Sequence, residues 1–281
     1  MTQPLVVLTY PGHFLLTALT IQTYFQHHPL VPVTVIVDDL SDHCWPNYIK
    51  DCEELYQCQI IPISTLRPAN LFAHGWIRQQ IAKLYLDYVL PYDTWFFTDG
   101  DIEYCKPAPQ NVIPFTITRG GLIQEKQNAY VSKLLGISNP GIWAEHKDMD
   151  WESGTYRHQV CVSNPPFRTM KTHTLQKIRS YIETLHNKTI EELHISVTDL
   201  NNLDYSISEW ELIANFQINV LNEIIALVYY PTVPIGDLNG SHYNYCGTCF
   251  TTDSGFNQSW WQERNIAIHD RSWNNVINIS K

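Results

Sequence analysis

The amino-acid sequence predicts an α/β fold, with a mainly parallel β-sheet flanked by helices in a single domain of two halves. The first observation is that short apolar runs alternate with segments of helical periodicity over the first 107 residues. The second is that 44% of the 281 residues are hydrophobic and 16% are charged, a globular balance with enough chain for one large core. The third is that acidic residues directly follow two of the apolar runs. Open parallel sheets bind ligands beyond the carboxyl ends of their strands, so these acids mark the edge at which we expect function.

The first half alternates regularly between strand and helix, as in a parallel sheet that is covered on both faces. In chain order the predicted elements are a strand at 4–10, a helix at 14–27, a strand at 31–39, a short helix at 47–56, a strand at 59–64, a helix at 74–90 and a strand at 94–101. The apolar positions of the last helix, which are spaced by four, three and four residues, are Ile77, Ile81, Leu84 and Tyr88.

The alternation is looser after residue 110. The predicted elements there are a strand at 111–121, a short helix at 127–136, a loop rich in Gly, Pro, Trp and acids at 138–157, a strand ending in a turn at 158–167, helices at 169–186 and 206–220, and a strand-like segment at 265–270. No repeat, low-complexity tract or linker interrupts the chain. We therefore interpret residues 1–107 and 108–281 as two halves of one domain.

Charge and composition argue against several classes of partner. The formal net charge is −10, from 18 basic and 28 acidic side chains, and no basic patch is present to follow nucleic acid or an anionic membrane. No apolar run reaches membrane-spanning length, and the first one stops at Pro11 without a basic segment before it. Seven scattered cysteines favour reduced thiols. We expect a cytoplasmic protein with no nucleic-acid partner and no membrane span.

Asp99 and Asp101 stand one residue apart at the end of the fourth predicted strand. Two carboxylates this close repel one another unless a cation lies between them. Their oxygens suit Mn²⁺ or Mg²⁺, ions that also take oxygens from substrate phosphates. Gly100 between them is expected to let a diphosphate approach the backbone. A solvated turn is the alternative, because Asp and Gly are common turn residues, but the position at a strand end favours the metal.

Residues 75–107, GWIRQQIAKLYLDYVLPYDTWFFTDGDIEYCKP, resemble glycosyltransferases of the GT-A type. Together with SEWELIANF at 208–216 they are similar to the DUF6492 type of these proteins, which carries comparable Gly-Trp/Tyr-x-Arg-Gln-Gln and Ser-Glu-Tyr/Trp-Glu segments. The resemblance is firm over 75–107 and looser elsewhere. It implies a GT-A fold in which 1–107 binds a nucleotide-sugar donor and 108–281 binds a glycan or glycoconjugate acceptor. It also implies a divalent metal, held on the donor diphosphate by the Asp-X-Asp motif.

Two cations of the helix before Asp99 become interpretable through this resemblance. Arg78 and Lys83 could face the donor diphosphate, whose charge must be neutralised, and Asp99 would contact the donor through the metal. The alternative for both cations is a solvated helix face.

Residues at the other strand ends are further candidates for donor binding. Asp38 and Asp39 follow the second strand and could accept hydrogen bonds from the ribose or base, or belong to a turn. Thr9 and Tyr10 follow the first strand and by position could pack the base and bind the ribose.

Glu209 is the predicted general base of an inverting transfer, in which a carboxylate takes the proton of the acceptor hydroxyl. The resemblance implies such a residue near the start of a late helix. Ser208-Glu-Trp-Glu211 is also a capping box. We therefore assign Glu211 to the cap and expect Glu209 to be free to act.

His269 is the expected third metal ligand, because some GT-A families return a late histidine to the metal. The usual His-x-x-Gly-x-x-Lys pattern is absent around His269. Asp270 and Arg271 share its position and could substitute for it. The alternative is that His269 is an ordinary surface residue.

Two other functions compete with a metal-dependent glycosyltransferase. A sugar nucleotidyltransferase would require a Gly-rich basic loop after the first strand, which LTYPGHF does not supply. A carbohydrate-binding protein without catalysis on the same fold is the second alternative.

Overall fold

The computed structural model of the chain describes residues 3–72, 74–100, 102–104, 114–119, 122–137, 160–163, 167–197, 207–222, 226–229 and 247–249. Several sequence predictions lie outside these residues, namely the loop at 138–157, the strand at 265–270, Asp101 and His269.

The strands that the structure describes are β1 (Leu5–Thr9), β2 (Val33–Val37), β3 (Gln59–Pro62), β4 (Thr94–Asp99), β5 (Ile102–Tyr104), β6 (Pro114–Arg119), β7 (Val160–Ser163), β8 (Phe167–Lys171), β9 (Ala226–Tyr229) and β10 (Gly247–Cys249). The helices are α1 (Phe14–His27), α2 (Tyr48–Tyr56), α3 (Gly75–Lys83), α4 (Leu122–Leu135), α5 (Thr172–His186), α6 (Ile190–Val197) and α7 (Glu209–Asn215).

The main sheet has the strand order β3-β2-β1-β4-β8. Its first four strands run parallel to one another, which confirms the predicted α/β fold with a mainly parallel sheet flanked by helices. β8 joins the edge of this sheet antiparallel to β4, with Trp95 opposite Met170. Two smaller sheets pair β6 with β7 and β9, and β5 with β10.

Both faces of the main sheet are buried, because alternate residues of β1 belong to different apolar clusters. Leu5 and Val7 pack with side chains of α1 and α2. Val6 and Leu8 pack with side chains of α3, α5 and α7. A strand buried on both sides reads as a continuous apolar run, and this explains why LVVLT carries no polar alternation.

Several predicted boundaries differ from the structure. The helix predicted at 74–90 ends at Lys83, and a 3₁₀ turn at Leu86–Tyr88 follows it. Of the predicted apolar face, Leu84 is buried, but Tyr88 is 65% exposed because the chain turns between these two residues. The helix predicted from 169 begins at Thr172, because the residues before it form β8. The sequence analysis did not predict β5, β8, β9, β10 or α6.

Among the described residues, we find no helix whose length and apolar character would allow it to span a membrane.

Candidate active site

The strand order reverses between β1 and β4, and in open α/β sheets such a switch point leaves a crevice at the carboxyl ends of the two strands. The chain proceeds from β1 to β2 and β3 on one side, and then returns to place β4 on the other side of β1. Ligands of open α/β sheets bind where the strand order reverses in this way. Leu8 of β1 is the register partner of Asp99 in the adjacent strand β4, and the Asp38 N–H donates to the Thr9 carbonyl at 2.9 Å. The ends of three strands therefore share one rim.

Lys83 is the cation at the centre of this rim. Its Nζ lies 3.2 Å from Oδ1 of Asp99 and 2.6 Å from Oε1 of Glu209. Lys83 is the last residue of α3. Glu209, 126 residues further along the chain, is the first residue of α7. The solvated helix face considered for Lys83 is wrong, because its side chain is only 5% exposed.

Two aromatic rings lie near the Lys83 ammonium, and one side-chain amide lies against its partner Glu209. Its Nζ lies 5.4 Å from the ring centroid of Phe97 and 5.1 Å from that of Trp210, within the range of cation–π attraction. The side-chain amide of Gln80 lies against the Glu209 carboxylate, so that its nitrogen can donate to the carboxylate oxygens. Sequence reasoning missed Gln80 and Trp210. Their positions one turn before Lys83 and directly after Glu209 are the signal that could have found them.

Burial and charge act in opposite directions on this cluster. Burial disfavours the Lys83 ammonium, but the carboxylates of Asp99 and Glu209 outweigh it and raise the pKa of Lys83. Burial also raises the pKa of Glu209, against the stabilising charge of Lys83. The side chain of Asp99 is 25% exposed, whereas that of Glu209 is 1% exposed. The rim therefore presents Asp99 to a ligand and holds Lys83 charged directly behind it.

The expectation that Glu209 is free to act is wrong, because its carboxylate is buried and bound to Lys83. The capping assignment is supported in part, since the Ser208 Oγ accepts from the Glu211 N–H at 3.4 Å. The carboxylate of Glu211 is buried and lies 3.3 Å from Nδ2 of Asn215, one turn further along. A catalytic role for Glu209 stays a prediction.

Arg78 and Asp38 form a buried ion pair beside the crevice. Nε and Nη2 of Arg78 donate to the two carboxylate oxygens of Asp38 at 2.9 and 3.0 Å, and Nη1 donates to the Phe72 carbonyl at 2.9 Å. Arg78 is 2% exposed, so the solvated helix face considered for it is wrong. The guanidinium links α3 to the residue that follows β2. Donor contacts by Arg78 and Asp38 stay a prediction that this pairing does not favour.

Asp39 and Thr9 are also engaged in internal contacts. Asp39 accepts from the N–H and the hydroxyl of Ser64 at 2.9 and 2.6 Å, which ties the end of β2 to the turn after β3. The buried Thr9 hydroxyl accepts from the Thr17 hydroxyl at 2.6 Å. The contacts of Asp39 correspond to the turn that was the alternative for this residue. The donor-binding roles of Asp39 and Thr9 are not tested by this geometry.

Gly100 has a structural reason for being glycine. A Cβ atom built on it would lie 2.3 Å from Oγ1 of Thr17 and 3.0 Å from the Leu8 carbonyl oxygen. The Thr17 hydroxyl itself lies 3.2 Å from the Gly100 carbonyl oxygen. Thr17 of α1 therefore packs where a side chain would be, and the expected approach of a diphosphate is not needed to explain this glycine.

His13 is a rim residue that the sequence analysis missed. It ends the 3₁₀ turn Pro11–His13 that follows β1, and its ring centroid lies 4.2 Å from that of Tyr10. Burial lowers the pKa of His13 to about 4, against the charge of Asp99, which acts in the opposite direction. A neutral imidazole and a phenol ring therefore lie at the carboxyl end of β1, where we expected Tyr10 to contact the donor. The place of His13 after a buried strand is the signal that could have found it.

The metal prediction depends on residues outside those described. Asp99 offers carboxylate oxygens at the rim, which are the atoms that a hard cation binds, but Asp101 and His269 lie outside the described residues. Within the part of the chain that the structure describes, no group of three or more His, Cys, Asp or Glu side chains gathers around one point. Lys83 already supplies one positive charge 3.2 Å from Asp99.

No protein-family model matches the sequence, and no curated protein matches it. Among solved structures, the chain is similar to the galactosyltransferase LgtC in complex with donor and acceptor sugar analogues (12% identity, 81% of this chain and 73% of that chain, TM-score 0.41). It is also similar to mouse xyloside xylosyltransferase 1 (9% identity, 82% and 85%, TM-score 0.39). A third is the bifunctional glycosyltransferase WbbM (9% identity, 81% of this chain but 38% of that chain, TM-score 0.41). Similarities of this size define neither a family nor an activity for this chain.

Proposed function

We propose that this protein is a glycosyltransferase of the GT-A type that moves a sugar from a nucleotide-sugar donor to a hydroxyl of a glycan or glycoconjugate. The observation that carries the proposal is the Lys83 cluster at the switch point of the sheet. The two segments on which the sequence resemblance rests, 75–107 and 208–216, meet there through the 2.6 Å contact of Lys83 with Glu209. Segments far apart in sequence have been brought to the edge at which such sheets bind ligands.

In the proposed reaction the bond between the sugar and the diphosphate breaks, and the acceptor oxygen forms a new bond to the sugar as it loses its proton. The leaving diphosphate then carries more negative charge, which a fixed cation in a dry site stabilises. Lys83 is suited to this role if the diphosphate replaces one of its two carboxylate partners, because Asp99 and Glu209 hold its ammonium charged beside the crevice. We assign His13 and Tyr10 to the nucleoside part of the donor, because both follow β1 at this edge of the sheet.

We also propose that Asp99 and Asp101, with His269, hold Mn²⁺ or Mg²⁺ on the donor diphosphate. Such an ion supplies charge neutralisation and orientation of the phosphates. The support from the structure is limited to Asp99, whose partly exposed carboxylate lies at the carboxyl end of β4.

Glu209 holds Lys83 in place in the geometry that we observe. As a base for the acceptor hydroxyl it would have to exchange its contact with Lys83 for one with the acceptor. Its raised pKa favours proton uptake. The inverting course that we favour rests on this role alone.

The division into a donor half (1–107) and an acceptor half (108–281), and a cytoplasmic location, belong to the same proposal. The second half also contributes β8 to the main sheet, so the two halves share structure.

Two alternatives differ in what they do with the donor. A sugar nucleotidyltransferase would form the nucleotide sugar from a nucleoside triphosphate and a sugar phosphate. The turn at Pro11–His13 offers it no Lys or Arg after β1. A carbohydrate-binding protein would bind sugar without releasing a nucleotide.

The test is release of the nucleotide leaving group from UDP-, GDP-, dTDP- and CMP-sugars, with and without Mn²⁺. We expect release from at least one donor, its loss on chelation, and its loss in Asp101→Ala with the fold unchanged by circular dichroism. Full activity of that variant, or with chelator present, would contradict the metal role. Glu209→Gln should reduce kcat much more than donor binding if Glu209 is a base. Equal losses would indicate positioning of Lys83.

A further inference from the structure

A second candidate site lies apart from the switch-point crevice. A cleft of about 680 Å³ opens where the connection from β3 to α3, the turn after α3, the helix α5 and the start of α6 meet. Its volume falls within the range of ligand sites, roughly 300–1,000 Å³. The described residues that line it include neither Lys83 nor Asp99 nor Glu209.

The floor of the cleft is a fixed stack of aromatic rings on a guanidinium. The guanidinium carbon of Arg179 lies 4.7 Å from the ring centroids of both Tyr85 and Tyr88. Its two terminal nitrogens donate to the carboxylate of Asp87 at 2.7 and 2.6 Å, and this carboxylate is completely buried. Tyr88 nevertheless remains 65% exposed. An aromatic ring held on one face and open elsewhere is a ready stacking surface.

The described residues in the walls of the cleft carry neutral hydrogen-bonding groups, two acids and one exposed cation, Arg67. Gln176, Ser180 and Glu183 are exposed and follow one another on the same face of α5, at spacings of four and three residues. Thr65 and Glu191 line the same cleft, and Glu191 accepts from the Tyr85 hydroxyl. Hydrogen-bond donors and acceptors therefore line the cleft together with the Tyr88 ring.

We propose that this cleft binds a neutral oligosaccharide. A sugar ring has an apolar C–H face that can stack on Tyr88 and hydroxyls that need both donors and acceptors, which the walls supply. A phosphate ligand is disfavoured because Asp87 neutralises Arg179, and because the two acids Glu183 and Glu191 outweigh the one remaining cation of the described lining, Arg67. The proposal goes beyond the proposed transfer activity and does not depend on it.

The test is saturation-transfer difference NMR, with titrations of the intact protein by maltotriose, cellotriose, lactose and N,N′,N″-triacetylchitotriose. Inorganic phosphate serves as the anionic probe. Tyr88→Ala removes the stacking face, and Ser180→Trp fills the cleft from an exposed position on α5 without touching the Tyr–Arg stack. Tyr88→Phe retains the ring. Phe25→Ala removes an aromatic side chain that is also partly exposed but lies on α1.

We expect at least one saccharide to bind the wild type. Its Kd should be at least tenfold higher for Tyr88→Ala and Ser180→Trp. For Tyr88→Phe and Phe25→Ala it should stay within twofold of the wild-type value. Binding should also persist in Asp99→Asn, which separates this cleft from the proposed donor site. The proposal is overturned if no saccharide of the panel binds, if neither Tyr88→Ala nor Ser180→Trp weakens binding, or if phosphate competes with the saccharide. Circular dichroism and the melting temperature establish that each variant is folded.

Discussion

At the scale of single residues, Lys83 is the side chain on which two carboxylates depend. Replacing it by methionine keeps the apolar stem between Phe97 and Trp210 but leaves Glu209 buried beside Asp99 without a cation. Removing one partner of a buried ion pair typically costs about 3–5 kcal/mol. We therefore expect Lys83→Met to lower the free energy of unfolding by about that amount, measured by urea denaturation at pH 7.

Two further variants control this prediction. Lys50→Met removes an ammonium whose side chain is 72% exposed and which pairs with Glu54 at 3.5 Å, so it should change stability little. Lys83→Met combined with Glu209→Gln removes the buried charge as well, and should recover part of the loss. A loss of less than about 1 kcal/mol in Lys83→Met would contradict the burial and pairing described for this cluster.

Cys44 offers a second prediction at this scale, next to the Asp38–Arg78 pair. Its thiol donates to the Asp38 carbonyl at 3.3 Å. Burial and then the charge of Asp38 raise the pKa of Cys44 to about 11. The rate of alkylation of Cys44 by iodoacetamide, followed by peptide mass spectrometry, should still rise about tenfold per pH unit between pH 8 and 10. A plateau near pH 9, as for an ordinary thiol, would contradict the placement of Cys44.

The sequence identified the candidate site residues, but it could not predict which of them contact one another. Asp99, Lys83 and Glu209 were each candidates because of local pattern or resemblance. Their contact spans up to 126 residues of chain and depends on how α7 packs against α3. The same limit applies to Arg78, which local pattern places on a helix face and which the structure places in a buried ion pair with Asp38.

At the scale of elements, the turn after β4 packs against α1, with Gly100 in contact with Thr17. We expect Gly100→Ala to lower stability by about 1–3 kcal/mol, because its Cβ would overlap Thr17 of α1. Gly75→Ala is the matched control, since a Cβ there would make ordinary contacts of 3.5 Å with Asp38 and 3.6 Å with Arg78. Urea denaturation of both variants is the measurement. Equal stability of the two would show that Thr17 does not lie against Gly100.

Elements with a strong local period could be predicted, whereas those defined by a distant partner could not. The bounds of α1 agree with the prediction because its apolar periodicity continues from Phe14 to His27. β8 was missed because FRTMK becomes a strand only through its pairing with β4. Likewise α3 was predicted too long, since Leu84 and Tyr88 fit helical spacing in the sequence, although the chain turns after Lys83 and leaves Tyr88 65% exposed.

At the scale of the whole molecule, His13 should contribute to acid sensitivity. The pKa of His13 is about 4 in the folded chain and 6.5, the ordinary value of a histidine, in the unfolded chain. Between pH 4 and 6.5 the unfolded chain therefore binds a proton that the folded chain does not. Stability should therefore fall as the pH is lowered through this window, by about 1–2 kcal/mol from this residue after allowance for its partial exposure. His13→Gln should show a smaller loss of stability between pH 6.5 and 4. An unchanged pH dependence would contradict the burial of His13.

The fold brings the fixed ammonium of Lys83 and the partly exposed carboxylate of Asp99 together at the carboxyl edge of the sheet, where we propose that a nucleotide sugar binds. The most direct test is a thermal-shift titration of the wild type and Asp99→Asn with UDP-, GDP-, dTDP- and CMP-sugars, with and without Mn²⁺. A ligand at about 100 times its Kd stabilises the folded chain by about 2.7 kcal/mol, which raises the melting temperature by several degrees. We predict such a shift in the wild type for at least one donor, larger with Mn²⁺, and a much smaller shift in Asp99→Asn. No shift with any donor, or equal shifts in the two proteins, would contradict the assignment of this edge as a donor site.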